Sequence, residues 1–380
     1  MAVCCEPLRV GVAGLGVVAQ VVHLPLLAHR RDLFRLSALC DVSRTVRDQV
    51  GQRYGVAQPR RYPSLDAMLT GGELDAVLLL TSGSHGPQAR AILDAGLAVL
   101  CEKPLAYTVA EADDLQAAAP GGTGHRLLLG YMKQYDPAVQ HMLELLPPVE
   151  SIRTITVTVL HPSSAAQLAF AGTFAPPPDV DAAVLAELRE AEGSALQRAL
   201  GPVPPEVCTL YSDVVLGSVV HDLSLIRMVA GSPVSMDGVD VWPRDGRPGS
   251  LTACGRLASG ARFGVGWHYL PDYPAYRETL SVHHETGSFE LVFPAPYLLH
   301  APTELTVVDA VGHHERRSVH RSVVEAFEQE LVAFHAMVTR GLPPLSSVAQ
   351  GRADIITGQQ ILRRYAAQSG IAIGGEAATA

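Results

Sequence analysis

Residues 8–41, LRVGVAGLGVVAQVVHLPLLAHRRDLFRLSALCD, decide the fold. Residues 9–13 are a short valine-rich run, long enough for a buried parallel strand. The run breaks at Gly14-Leu15-Gly16-Val17-Val18-Ala19, which reads G-x-G-x-x-A. Each small residue has a physical reason: Gly14 permits the tight turn, Gly16 lets a pyrophosphate approach the backbone, and Ala19 lets the following helix pack closely on the strand. The start of that helix, at Val17 and Val18, is the natural seat for the phosphates.

A second strand, residues 34–40, ends at Asp41, twenty-two residues past Ala19. At that separation an acidic side chain reaches the hydroxyls of an adenosine ribose. A carboxylate there repels the additional phosphate of NADP and so favours NAD. Arg44, one turn on, keeps NADP open, because a guanidinium can neutralise that phosphate or stack on adenine.

Working outward, the pattern repeats. Residues 43–54 are helical in pattern, and 60–66 read as a short return into a third helix. Residues 74–80 form a buried strand broken by Thr81-Ser82-Gly83-Ser84, the kind of break at which open α/β sheets place ligands. Residues 88–95 make a helix closed by Gly96, and 98–101 are a strand running into Glu102-Lys103-Pro104. A helix over 108–119 starts at a capping box, Thr108 with Glu111, and 126–129 complete the set. Strand and helix alternating through short loops predict a doubly wound parallel sheet, a dinucleotide-binding Rossmann domain over residues 1–130.

Residues 131–380 have another texture. Residues 152–159 alternate with period two, as do 238–242, 250–257, 262–269, 277–283, 287–293 and 304–309, which predicts an α+β domain with an open, mostly antiparallel sheet of about six or seven strands. One face of that sheet is a candidate homodimer or homotetramer contact. The alanine- and proline-rich excursion 162–205, helical over 180–200, reads as a lid. Residues 322–340 and 348–367 are helices, and the final dozen residues read as a frayed tail.

Composition bounds the partners. At 380 residues the chain exceeds one hydrophobic core, and 48% hydrophobic with 18% charged residues is the balance of a globular protein. A net charge of −9 argues against a nucleic-acid backbone as partner. Cys4, Cys5, Cys40, Cys101, Cys208 and Cys254 form no paired framework, the first ten residues lack the apolar core of a signal peptide, and no run is long enough to span a membrane. A cytoplasmic protein is the expectation.

Lys103 is the first candidate for chemistry, since an ammonium at a strand's carboxyl end lies beside a bound nicotinamide. The doublets His283-His284 and His313-His314 do not make a metal site, because strand neighbours point to opposite faces and each doublet supplies one ligand. Tyr211, Trp267, His268 and Tyr269 read as core aromatics or as contacts to a sugar.

The string AVLLLTSGSHGPQARAILDAGLAVLCEKPLA, residues 76–106, resembles the hallmark of the Gfo/Idh/MocA oxidoreductases. Thr81, His85, Gly96 and Glu102-Lys103-Pro104 carry the likeness, with Ser82 in place of the usual proline. The likeness continues through Gly130-Tyr131, Tyr135-Asp136-Pro137 and residues 327–344. It implies that Thr81, Ser82, His85 and Glu102 line the nicotinamide half of the cofactor and that Lys103 touches both nicotinamide and substrate. It also implies a catalytic histidine in a D-x-x-x-H stretch. The counterpart here is Gly217-Ser218-Val219-Val220-His221-Asp222: His221 matches, and the usual aspartate is Gly217. Asp222 or Asp213 is then the candidate replacement, or Lys103 carries more of the acid-base work, and Lys133 and Tyr135 are candidate substrate contacts, two lysines suiting an anionic group. The implied activity is hydride transfer between NAD and a hydroxyl or keto carbon of a sugar, nucleotide sugar or cyclitol. The family also holds NAD-recycling lyases acting through a transient ketone and a non-catalytic dinucleotide-responsive regulator.

Overall fold

The computed structural model describes residues 6–71, 73–118, 125–163, 168, 171–174, 179–242 and 249–380. The chain divides into two compact units, Met1–Gly130 with Ala171–Ala195 and Glu330–Arg352, and Tyr131–Phe170 with Leu196–Gln329 and Ala353–Ala380.

The first unit is built on a parallel sheet. Strands β1 (Leu8–Ala13), β2 (Phe34–Cys40), β3 (Arg61–Tyr62), β4 (Ala76–Leu79), β5 (Ala98–Glu102) and β6 (Leu127–Gly130) lie in the order β3-β2-β1-β4-β5-β6. Every residue of β4, β5 and β6 is buried, as expected of strands covered on both faces. The order reverses between β1 and β4, where a doubly wound sheet opens a crevice at the strands' carboxyl ends. The helix after the glycine turn passes through a π-helical stretch, Ala19–His23, into α1 (Leu24–His29). Pro25 lacks an N–H, and its ring would press on the carbonyl four residues back; the wider turn relieves both problems.

Helices α2 (Arg44–Arg53), α3 (Leu65–Gly71), α4 (Gly86–Asp94) and α5 (Val109–Ala118) follow the expected pattern. The capping box forms: Glu111 N donates to Thr108 Oγ1 at 3.1 Å, and Thr108 N donates to the Glu111 carboxylate at 3.3 Å.

The second unit carries the larger sheet. Its strands are β7 (Ile152–His161), β8 (Pro233–Trp242), β9 (Ser250–Leu257), β10 (Arg262–Tyr269), β11 (Arg277–His284), β12 (Gly287–Phe293), β13 (Glu304–Val311) and β14 (His314–Arg321). They lie in the order β14-β13-β12-β11-β7-β10-β9-β8, antiparallel except for β7 with β10. Eight strands replace the expected six or seven, since β14, HERRSVHR, pairs along the whole of β13. Its charged side chains hid it as a strand, and they also shield an exposed sheet edge from further pairing.

Other helices are α6 (Pro137–Leu145), α7 (Ala182–Leu200), α8 (Pro205–Thr209), α9 (Val220–Ala230), α10 (Ala326–Arg340) and α11 (Val348–Ser369), with a π-helical stretch at Leu210–Val219 leading into α9. Helix α7 is the expected helical centre of the excursion, whose residues 164–167, 169–170 and 175–178 lie outside those described. The C-terminal tail is a correction. Gly374 N donates to Leu200 O at 2.7 Å, Gln359 Nε2 donates to Glu376 Oε2 at 2.9 Å, and Ala377 is fully buried. Gly374 packs backbone to backbone on Gly201, where a Cβ on Gly201 would lie only 2.7 Å from the Gly374 Cα.

Candidate active site

In the first unit the glycine turn and Asp41 form a cradle. Gly14 adopts φ 89°, and a Cβ there would lie 2.6 Å from the carbonyl of Leu80, so only glycine fits. Gly16 is exposed, and a Cβ there would meet no atom of the described residues within 4 Å. The sequence thus keeps the backbone bare where the protein does not need the room and a ligand would. Asp41 bridges this turn to α2: Oδ2 accepts from Leu15 N and Oδ1 from Ser43 N, both at 2.8 Å. Glycines over open space and an acid at the end of β2 fit a dinucleotide's pyrophosphate and ribose. Arg44 points along α2 to Asp48, 3.7 Å away, and is largely exposed.

The ends of β4 and β5 position the other predicted residues. Thr81 Oγ1 donates to Gln88 Oε1 at 2.6 Å, and Ser82 is exposed. His85 is 1% exposed, with its ring nitrogens 2.7 Å from the carbonyl oxygens of Thr81 and Pro104. It therefore ties the β4 turn to the chain leaving β5, and presents no ring nitrogen to a cofactor; burial pushes its pKa down.

Lys103, half-buried, follows β5 and is joined to Pro104 by a cis peptide bond. Its backbone N–H donates to Glu102 Oε2 at 3.1 Å, and Glu102 Oε1 meets His23 Nε2 at 3.1 Å. Burial opposes ionisation of Glu102, yet the bond to His23 and the charges of His23 and Lys103 hold its carboxyl below the usual range. Glu102 thus anchors the backbone of Lys103 while its side chain is turned to His23. A lone histidine in the first helix gave no sign of this.

In the second unit His221 stands on α9, 8% exposed, edge-on to the Tyr131 ring with centroids 6.0 Å apart. Gly217 lies in the π-helical stretch before it, where a Cβ would sit 3.0 Å from the carbonyl oxygen of Ser212. A side chain there is crowded from its first carbon. Asp213 is exposed and accepts a bond from its neighbour Ser212 at 2.7 Å.

Asp222 belongs instead to a buried charge cluster. Lys133 Nζ lies 2.5 and 2.6 Å from the two oxygens of Glu278 and 3.5 Å from Asp222, and the Tyr276 hydroxyl donates to Glu278 at 2.5 Å. Burial disfavours the Lys133 cation, but the charges of Glu278 and Asp222 raise its pKa. Burial also disfavours the Glu278 anion, but Lys133 holds its pKa low. Asp222 goes the other way: burial and the Glu278 charge, against the attraction of Lys133, lift its pKa well above the usual range.

The Lys133 ammonium is thus matched by the Glu278 carboxylate beside it, with Asp222 buried against the pair. Lys133 brings no net charge for an anionic substrate, contrary to the two-lysine expectation. Glu278 was missed, although it shares a strand face with Leu280 and Val282, where a carboxylate needs a partner. Tyr135 and Tyr211 are buried, and Trp267 Nε1 donates to Ser218 Oγ at 2.9 Å. Among the described residues no group of three or more histidines, cysteines or carboxylates is placed to hold a metal ion.

Residues 8–130 match the model of the Gfo/Idh/MocA oxidoreductase family, described as an NAD-binding Rossmann fold. Over residues 8–130 the chain is similar to the nucleotide-binding domain of that family. It is similar to inositol 2-dehydrogenase 3 of Saccharopolyspora erythraea, 32% identical over 140 residues, and to a D-xylose 1-dehydrogenase (NADP(+)) of Haloferax volcanii, 32% identical over 145 residues; each match covers 36% of this chain and 40% of the relative.

The likeness in fold runs further than the Gfo/Idh/MocA domain. A crystal structure of aldose-aldose oxidoreductase from Caulobacter crescentus superposes with a TM-score of 0.69 at 20% identity, covering 97% of this chain and 99% of that one. A UDP-N-acetylglucosamine 3-dehydrogenase from Acidithiobacillus ferrooxidans gives 0.67 at 19% identity, covering 95% and 98%.

Proposed function

We propose that the protein is an NAD-dependent oxidoreductase moving hydride between nicotinamide and a hydroxyl or keto carbon of a sugar, nucleotide sugar or cyclitol. The observation that carries this reading is the bare, exposed backbone at Gly16 beside Asp41, in a domain whose fifth strand runs into Glu-Lys-Pro. Nicotinamide, when bound, supplies the hydride-accepting carbon. Gly14, Gly16, Val17 and Val18 hold the pyrophosphate, and Asp41 the ribose. The Lys103 ammonium is assigned to the substrate oxygen, and Lys103 and His221 are the two residues assigned to acid-base work. The names of the relatives, an inositol dehydrogenase and a xylose dehydrogenase, support a polyhydroxylated substrate. The homo-oligomer contact is assigned to the face of the larger sheet that exposes Thr156 and Thr158. A reducing, cytoplasmic setting suits free thiols at Cys40 and Cys101.

Absorbance at 340 nm over a panel of inositols, aldoses and nucleotide sugars tests the proposal. NADH accumulates with at least one member of the panel. Product release without net NADH would replace it with the recycling route, and dinucleotide binding without turnover of any member with the regulatory one.

A further inference from the structure

Phe174, Asp179 and Glu192, in the part of the first unit numbered 171–195, bond to Gln20 after the glycine turn, to the start of α2 and to Tyr107. Gln20, whose amide donates to Leu15 O at 2.7 Å, also exchanges two hydrogen bonds with the Phe174 backbone at 2.8 and 3.1 Å. The Arg53 guanidinium lies 4.2 Å from the centre of the Phe174 ring, and Tyr107 donates to Glu192 at 3.0 Å.

Within this segment Asp179 reaches the start of α2. Its Oδ1 accepts from Ser43 Oγ at 2.7 Å and its Oδ2 from Thr45 N at 2.8 Å. Ser43 is the residue whose N–H bonds Asp41, so the two carboxylates converge on one turn of backbone just past β2. The bonds from Thr45 and Ser43 hold the Asp179 carboxyl below the usual range, so it is ionised at neutral pH. Two guanidinium groups stand close by, and both are engaged: Arg44 lies 3.7 Å from Asp48, and Arg47 bonds the backbone carbonyl of Asp41.

We propose that Asp179 is a second specificity carboxylate: with Asp41 it excludes the 2′-phosphate of NADP. The inference rests on dinucleotide binding at the glycine turn and names its selectivity. A 2′-phosphate beside the ribose would need the N–H groups opening α2, which are its natural partners. Asp179 already holds one of them and adds a like charge. An acid at the end of β2 is visible in sequence; one arriving 136 residues beyond Ser43 is not.

Titration calorimetry with NAD and NADP, on the whole chain and on Asp179→Asn and Asp179→Ser, tests this. Asp179 is exposed, so neither change threatens the fold. The unaltered protein prefers NAD, and its preference shrinks as salt is added, because the exclusion is electrostatic and exposed. Both variants shift the NADP to NAD affinity ratio toward NADP by about tenfold or more. A ratio within about twofold of the original in both variants overturns the inference and leaves dinucleotide binding standing. An unaltered protein that binds NADP as well as NAD also overturns it. Binding of neither dinucleotide would overturn the dinucleotide reading itself, and this inference with it.

Discussion

Replacing Lys133 by methionine removes the cation that faces Glu278 and Asp222 in a buried charge cluster. Lys133, Glu278 and Asp222 are 7%, 0% and 1% exposed, and the ammonium sits within 2.6 Å of both Glu278 oxygens. Methionine nearly preserves the side chain's length and volume, so the loss is electrostatic rather than a cavity. Removing one partner of a buried ion pair costs about 3–5 kcal/mol, a large share of a domain's stability.

The sign of the pH dependence follows. In the unaltered protein the folded pKa of Glu278 lies below its unfolded value; that stabilisation is present above the unfolded pKa and is lost as pH falls through the folded one. Without Lys133 the desolvation of Glu278 is unopposed and its folded pKa rises above the unfolded value, so stability instead declines as pH climbs through the carboxylate range. Glu278→Gln on the Lys133→Met background removes the stranded charge and restores most of the loss. Urea unfolding of both single variants and the double variant at pH 5 and pH 7 reads these differences. A Lys133→Met penalty below about 1 kcal/mol, or a double variant whose loss is the sum of the single ones, would refute the reasoning.

Glu330 is fully buried, and neither carboxylate oxygen has a hydrogen-bond partner among the described residues. Burial, with the charge of Glu102 adding to it, holds its pKa well above the usual range. The folded protein therefore keeps a proton that the unfolded chain releases, and stability falls by about 1.4 kcal/mol per pH unit between the two pKa values. Glu330→Gln removes that decline: its melting temperature exceeds the parent's at pH 8 and converges on it near pH 4. A pH-independent difference would count against a buried neutral acid. Lys103→Ala keeps NAD affinity within about tenfold, 1.4 kcal/mol, while turnover falls much further; equal losses in titration and in rate would contradict its assigned role.

The first unit was largely legible because its signals are local. A glycine motif, an acid at fixed spacing and apolar runs of strand length each constrain the backbone within a few residues, and β1, β2 and the turn between them lie where those residues require. The second sheet was legible strand by strand from its period-two alternation, except for β14, whose face is charged on both sides.

What stayed hidden depends on partners distant in sequence. The tail at Gly374 is held by Leu200, and Asp179 by Ser43. His85 looked like a cofactor ligand, and only the carbonyls of Thr81 and Pro104 show that it braces the backbone. Glu278 and Glu330 left a readable trace as single acids on apolar faces, the latter in line with Phe334 and Met337 at helical spacing. Their roles could not be read without the neighbours that neutralise or desolvate them.

The central claim, that the glycine turn seats a dinucleotide, is tested most directly at Gly16. A Cβ there meets no atom of the described residues within 4 Å, so Gly16→Val is expected to spare the fold while filling space a pyrophosphate would use. Calorimetric titration with NAD, paired with a melting curve, separates the two effects. The account predicts a melting temperature within about 2 °C of the parent and NAD affinity lower by about a hundredfold or more. Unchanged NAD affinity in Gly16→Val would contradict it.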